Sequence, residues 1–268
     1  SMHHILCDGD TSLELFFREA GLMYEALSSG RPFPLSELPM QYRDYTRWQR
    51  KRFTDGDADS QLEYWLRRIG DEPPAMQLPT DRSHPPVQTY SGDSLHIRLS
   101  EDMSGGLNLL ARQEGVPLSV ILLAAFKTML YRYSGQTDIL VGTPASGRDA
   151  PDTEGMIGYF GNPLVLRSDM SDNPGFRELV STLSGTVADA EANQDYPFQK
   201  LVETLKPERN MSRPPLFQVL FIPRDRFAEA RKLQDLTLTR TDAESGSVPY
   251  DLVVSFRESG REILWTWE

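Results

Sequence analysis

The chain has 268 residues, 39% hydrophobic, 25% charged and 10% aromatic, which suits one large domain or two small ones and excludes disordered, collagen-like and disulfide-built classes. Its 28 Lys and Arg stand against 39 Asp and Glu, a formal charge of -11, so it lacks the broad basic face of a nucleic-acid binder. The one cysteine, Cys7, permits no internal disulfide or Cys-rich metal site, and the longest apolar run, Val120 to Phe126, is far short of a bilayer span; a cytoplasmic protein without a membrane segment is expected.

The chain opens abruptly on Ser1-Met2-His3-His4, as a fragment would. Leu13, Phe16, Phe17, Ala20, Tyr24 and Leu27 recur at three- and four-residue spacing, predicting an amphipathic helix over 11–28 with these residues along one stripe. Thr11 and Glu14 form a capping-box pattern, and Gly30 with Pro32 supplies the stop. A helical stretch from Tyr42 to Leu66 is expected to break at the polar segment 54–60. Five prolines between Asp71 and Tyr90 bias the backbone toward extended forms, marking residues 71–91 as a crossover between 1–70 and 92–268.

Beyond the crossover, residues 94–99 alternate as a strand with one wet face. Residues 101–114 and 117–133 are helical by content, the second apolar enough to be almost wholly buried. Strands are predicted over 138–141, 156–167, 216–222, 252–256 and 262–267, and a helix capped by Asn173-Pro174 runs to about Asn193. The mixture predicts an α/β or α+β fold, a mixed sheet covered by helices.

Chemistry is suggested first at His3, His4, Asp8 and Gly9, a titratable base in a tight turn ahead of a helix, an arrangement suited to acid-base work on a carbonyl. A surface turn and a metal site are the other readings; adjacent residues on extended backbone face opposite ways, so the two imidazoles do not readily share an ion, and no third soft ligand lies near. Gly142 to Asp149 imitates a phosphate-cradling loop. Arg148 stands where its lysine would be and Asp149 where its hydroxyl would be, while Pro151 and Gly155 oppose the helix that should follow. Gly155, Gly158 and Gly161 suit close backbone approach or packing. Arg43, Arg47, Arg50, Lys51 and Arg52 form a basic cluster in an acidic chain, either a docking face for an acidic partner or a solvated helix face. His84 and His96 read as structural.

MHHILCDG at 2–9 resembles the HHxxxDG motif of the condensation domains of nonribosomal peptide synthetases. YRDYTRW at 42–48 is similar to the family's YxDYxxW, ILVGTPASGR at 139–148 to its VGTPxxxR, and IGYFGNPLVLR at 157–167 to its IGxFVNTxxLR. NQDYPFQKLVE at 193–203 and RNMSRPPLFQVLF at 209–221 resemble the later QDYPFE and RDxSRNPLFQ motifs. The resemblance spans nearly the whole chain and begins where a family member would be about a third finished.

That likeness implies a pair of chloramphenicol-acetyltransferase-like lobes enclosing a tunnel. Residues 1–70 would be the remainder of the N-terminal lobe and 92–268 a C-terminal lobe incomplete at its end. The implied reaction joins an upstream acyl or peptidyl thioester to the amine of a downstream aminoacyl thioester. Both substrates would ride on phosphopantetheine arms of peptidyl carrier domains beside an adenylation domain, with no metal or cofactor bound here. His4 would take a proton from the tetrahedral intermediate, since an imidazole is a base suited to that task, or would hold the amine in line. His3 would support the turn, Gly9 would let backbone approach the thioester oxygen, and Tyr159, Gly161 and Asn162 would line the tunnel. Asp8 would turn onto an arginine expected in the absent part of the family pattern, leaving it here without its usual partner. Asp10 after the motif and Gly161-Asn162-Pro163 in place of VNT depart from the pattern and put substrate specificity in doubt. Arg43, Arg47 and Arg50 would dock a carrier. The alternatives are a non-catalytic carrier-docking module of the same fold and an ester-forming acyltransferase; the fragment alone is expected to be inactive.

Overall fold

The computed structural model describes residues 2–54, 56, 58–148, 151–208, 210–224, 230–233, 236–239 and 246–268. The chain forms two compact units. The first gathers three stretches remote in sequence, Ser1–Asp59, Ser146–Asn162 and Phe227–Ala243; the second holds Ser60–Ala145, Pro163–Arg226 and Glu244–Glu268.

In the first unit a 3₁₀ turn, His4–Leu6, leads into helix α1, Gly9–Ser28. The helix starts ahead of the predicted capping box: Asp8 is the N-cap, and its side chain accepts from the Ser12 amide. Most of its apolar stripe is turned outward. Phe16, Phe17, Tyr24 and Leu27 are exposed, while Ser12, Leu15 and Ala26 are buried. Periodicity reveals an apolar stripe without revealing which face is covered. Helix α2, Tyr42–Thr54, packs Tyr42 and Tyr45 on Met156 and Phe160. A short hairpin of β5, Ala230–Leu233, and β6, Leu236–Thr239, also belongs to this unit.

The second unit is built on a six-stranded mixed sheet in the order β1-β8-β7-β4-β2-β3. The strands are β1, Leu95–Arg98, β2, Asp138–Ala145, β3, Asn162–Asp169, β4, Val219–Pro223, β7, Leu252–Ser259, and β8, Glu262–Trp267. Pairing of β4 with both β2 and β7 is parallel, whereas β8 runs antiparallel to β7 and β1. Helices α3, Asp59–Ile69, α4, Glu101–Glu114, α5, Leu118–Ser134, α6, Phe176–Ala192, and α7, Phe198–Leu205, accompany the sheet. The break between α2 and α3 falls in the polar segment anticipated for it. Helix α4 is bounded by Ser100, whose side chain accepts from the Met103 amide, and by Gly115 at φ 66°. Helix α5 buries Val120, Ile121, Leu122, Leu123, Ala124, Phe126 and Leu130; each larger side chain removed from water contributes about 1.5–3 kcal/mol. Among the described residues no single helix is long and apolar enough to cross a membrane.

Several sequence expectations are corrected. All four residues of β1 are exposed, because it is a short edge strand rather than a half-buried one. Asn173 does not cap α6; it sits at φ 49° and Gly175 is the N-cap, without a side-chain bond. The predicted strand 156–167 begins only at Asn162, since residues 156–161 are occupied with the first unit's core. Helix α7 and the β5–β6 hairpin have no counterpart among the predicted elements. The proline-rich segment carries no helix or named strand and is pinned where the Met76 amide donates to Gln218 Oε1 at 2.7 Å. Asp149 of the phosphate-loop look-alike and Arg209 of the last motif lie outside the described residues.

Candidate active site

The His3-His4 turn is held mainly by its own backbone. The Leu6 amide donates to the His3 carbonyl at 2.9 Å, and His3 Nδ1 accepts from the Ile5 amide at 3.1 Å. His3 is thus a cap for the turn. His4 Nδ1 lies 2.6 Å from the Cys7 carbonyl oxygen. A carbonyl only accepts, so Nδ1 carries a proton, and in the neutral ring the lone pair is on Nε2. The ring of Tyr159 stands edge-on to the imidazole, with centroids 5.1 Å apart. Tyr159 is 39% exposed. Burial, and then the negative charge of Asp8, raise its phenol pKa above the ordinary value.

Behind this turn lies a polar knot. The Asp8 amide donates to the Gly158 carbonyl at 2.8 Å. Its carboxylate receives Arg148 in a two-pronged pair, Nε to Oδ2 at 2.8 Å and Nη2 to Oδ1 at 2.9 Å. Arg148 Nη1 also donates to the carbonyls of Thr153 at 2.6 Å and Met156 at 2.8 Å, and the guanidinium lies 4.2 Å from the Phe160 ring centroid. Asp8 therefore has an arginine partner, contrary to expectation, and it comes from the loop that imitates a phosphate cradle. That loop turns at Gly147, φ 63°, where a side chain would strike the Phe160 backbone. The overlooked signal was the arginine closing the VGTPxxxR match.

Gly9 opens α1, with space around its Cα and no positive φ. Gly161 is half-buried, and Asn162 begins β3. His3, His4, Asp8, Gly9 and Tyr159 therefore cluster at one end of α1, joined by Arg148, Ser12, Tyr42 and Gly158, which motif reading did not assign to the site. Tyr42 Oη donates to the Tyr159 carbonyl at 2.6 Å.

Arg43, Arg47 and Arg50 fall at i, i+4 and i+7 on α2, a spacing that places them on one helix face. Arg43 and Arg47 share Asp44 at 3.8 and 3.7 Å and remain largely exposed. His84 lies 3.7 Å from Asp251, and His96 bonds Thr266 at 3.1 Å.

The family model described as Condensation domain matches residues 1–267. A linear gramicidin synthase protein of Brevibacillus parabrevis is 44% identical over 269 residues, covering all of this chain and 5% of that protein. The chain thus spans a small part of its curated relatives. Among solved structures, the X-domain from teicoplanin biosynthesis superposes with a TM-score of 0.89 at 27% identity, over 99% of this chain and 62% of that one. The condensation domain of the Monacolin K polyketide synthase MokA gives a TM-score of 0.82 at 23% identity over 99% and 62%, a likeness of fold.

Proposed function

The chain belongs to the condensation-domain family, and from that premise we propose that it forms an amide between two carrier-bound substrates within a nonribosomal peptide synthetase. The observation that carries the reading is the bond from His4 Nδ1 to the Cys7 carbonyl, which leaves Nε2 as a proton acceptor. The amine of the aminoacyl thioester attacks the donor thioester carbonyl. His4 Nε2 accepts a proton from the zwitterionic tetrahedral intermediate, the C–S bond breaks as the amide forms, and the His4 imidazolium returns that proton to the leaving thiolate. Gly9 leaves the backbone open to the developing oxyanion, while Tyr159, Gly161 and Asn162 border the substrate path. The phosphopantetheine arms are substrate carriers supplied by upstream and downstream carrier domains, with an adenylation domain as neighbour.

In the intact synthetase, His4→Ala abolishes dipeptidyl product while leaving the fold in place; undiminished product overturns the catalytic role. Carrier binding without turnover in the unaltered synthetase would mark a docking module instead, and acceptance of a small diffusible alcohol would mark an ester-forming acyltransferase. Arg43, Arg47 and Arg50 belong to the proposal as a carrier-docking stripe, supported by four net positive charges on α2 (five Lys and Arg less Asp44) in a chain of formal charge -11. Arg43→Glu with Arg47→Glu weakens carrier binding and its salt dependence; unchanged affinity retires the stripe.

A further inference from the structure

His4 is exposed, and its hydrogen bond to the Cys7 carbonyl fixes Nδ1 without by itself fixing the plane of the ring. The second restraint is the Tyr159 ring, at 90° to the imidazole. That ring is only partly covered, and the backbone of residue 159 sets where it is anchored. The backbone is held from behind by Tyr42, whose hydroxyl donates to the Tyr159 carbonyl at 2.6 Å.

Tyr42 is locked in turn. It packs edge-on to Phe160 at 5.2 Å and stacks on Tyr45 at 6.0 Å. A Cβ at position 158 would lie 2.6 Å from its Cε2, so the missing side chain of Gly158 is what admits the ring. The same Gly158 carbonyl accepts the Asp8 amide. Residues 158 and 159 are therefore fixed on one side to the end of the histidine turn and on the other to α2.

We propose that Tyr42 is a positioning residue that acts through Tyr159 to hold the His4 imidazole in one orientation. Only its kinetic consequence rests on the condensation reading. Tyr42→Phe keeps the ring and removes the hydroxyl, losing one hydrogen bond whose net worth lowers kcat by roughly two- to tenfold with KM unchanged.

The deciding experiment is histidine-selective nitrogen NMR of the 268-residue chain, with circular dichroism to verify the fold. Tyr42→Phe and Tyr159→Ala are both expected to shift His4 from a single Nδ1-protonated form toward a mixture of tautomers and to broaden its resonances, with unchanged helix content. His4 resonances identical to wild type in a folded Tyr42→Phe chain overturn the proposal, whatever the activity. His4→Ala turnover in the intact synthetase tests the condensation reading separately, so failure of one is not mistaken for failure of the other. If Tyr42→Phe does not fold, Tyr159→Ala decides: an unchanged His4 spectrum there overturns the relay.

Discussion

Arg148 and Asp8 stand 140 residues apart in the chain and meet in a two-pronged ion pair whose side chains are only 7% and 14% exposed. The pair joins the N-cap of α1 to the loop after β2. Removing one member strands the other's charge away from water, a loss of about 3–5 kcal/mol in comparable buried pairs. Arg148→Met is expected to destabilise the chain by that order in urea denaturation. Arg148→Lys recovers only part of the loss, because an ammonium does not reproduce the planar fork that reaches Asp8, Thr153 and Met156 together.

Ser12 is 1% exposed and completes the same knot. Its hydroxyl accepts from Arg148 Nη2 at 3.1 Å and from the Gly158 amide at 3.2 Å, filling both lone pairs. Its single proton faces Asp8 Oδ1 at 2.5 Å and the Gly158 carbonyl at 3.0 Å. Ser12→Ala leaves buried donors unmet and is expected to cost about 1–3 kcal/mol in the same denaturation assay. Ser12→Thr, which keeps the hydroxyl, restores most of it.

Lys127 is wholly buried, and its ammonium donates to the Leu166 carbonyl at 2.6 Å, Ser168 Oγ at 2.7 Å and the Ile139 carbonyl at 3.4 Å. Burial lowers its pKa from 10.5 to about 7; the charge of Arg68 acts in the same direction, and that of Asp138 opposes it. Between about 7 and 10.5 the unfolded chain therefore holds a proton that the folded chain has released. Stability accordingly rises with pH through that window, by up to about 1.4 kcal/mol per unit, and this contribution is gone below it. Lys127→Met is expected to flatten the pH profile of unfolding free energy across that window. A profile as steep as wild type would assign the slope to other groups.

What the sequence made legible was local. Helices α4 and α5 follow from their helix-forming content and a dense apolar run, and His3, His4, Asp8 and Gly9 stand out as a turn before a helix. Harder to read were partnerships over distance. Arg148 drew attention as the wrong residue for a phosphate loop, and no spacing rule connects it with Asp8. Residues 156–161 show a strand-like apolar pattern because Met156 and Phe160 are core residues under α2, although the Met156 carbonyl accepts from Arg148 and the Phe160 carbonyl lies against Gly147 rather than in a ladder. The outward stripe of α1 illustrates the same limit from the other side. An apolar periodicity marks where burial would be favourable, and only coordinates show which face meets neighbours.

Two glycines of the site separate structural from chemical need. At Gly158 a Cβ would fall 2.6 Å from Tyr42 Cε2 and 2.9 Å from Phe160 Cε2, closer than side-chain atoms pack, so one of the two rings must shift. Gly158→Ala is therefore expected to lower stability by about 1–3 kcal/mol through overpacking. Gly9 meets no atom within 4 Å, has no positive φ and opens a helix, so the fold gives no reason for glycine there. Gly9→Ala should be neutral or stabilising by up to about 1 kcal/mol, since alanine loses less backbone freedom on folding. If the site needs close backbone approach to the thioester oxygen, the same change lowers turnover in the intact synthetase by roughly 10- to 100-fold. A Gly9→Ala enzyme with unaltered stability and wild-type turnover would remove Gly9 from the reaction and leave the oxyanion to other donors.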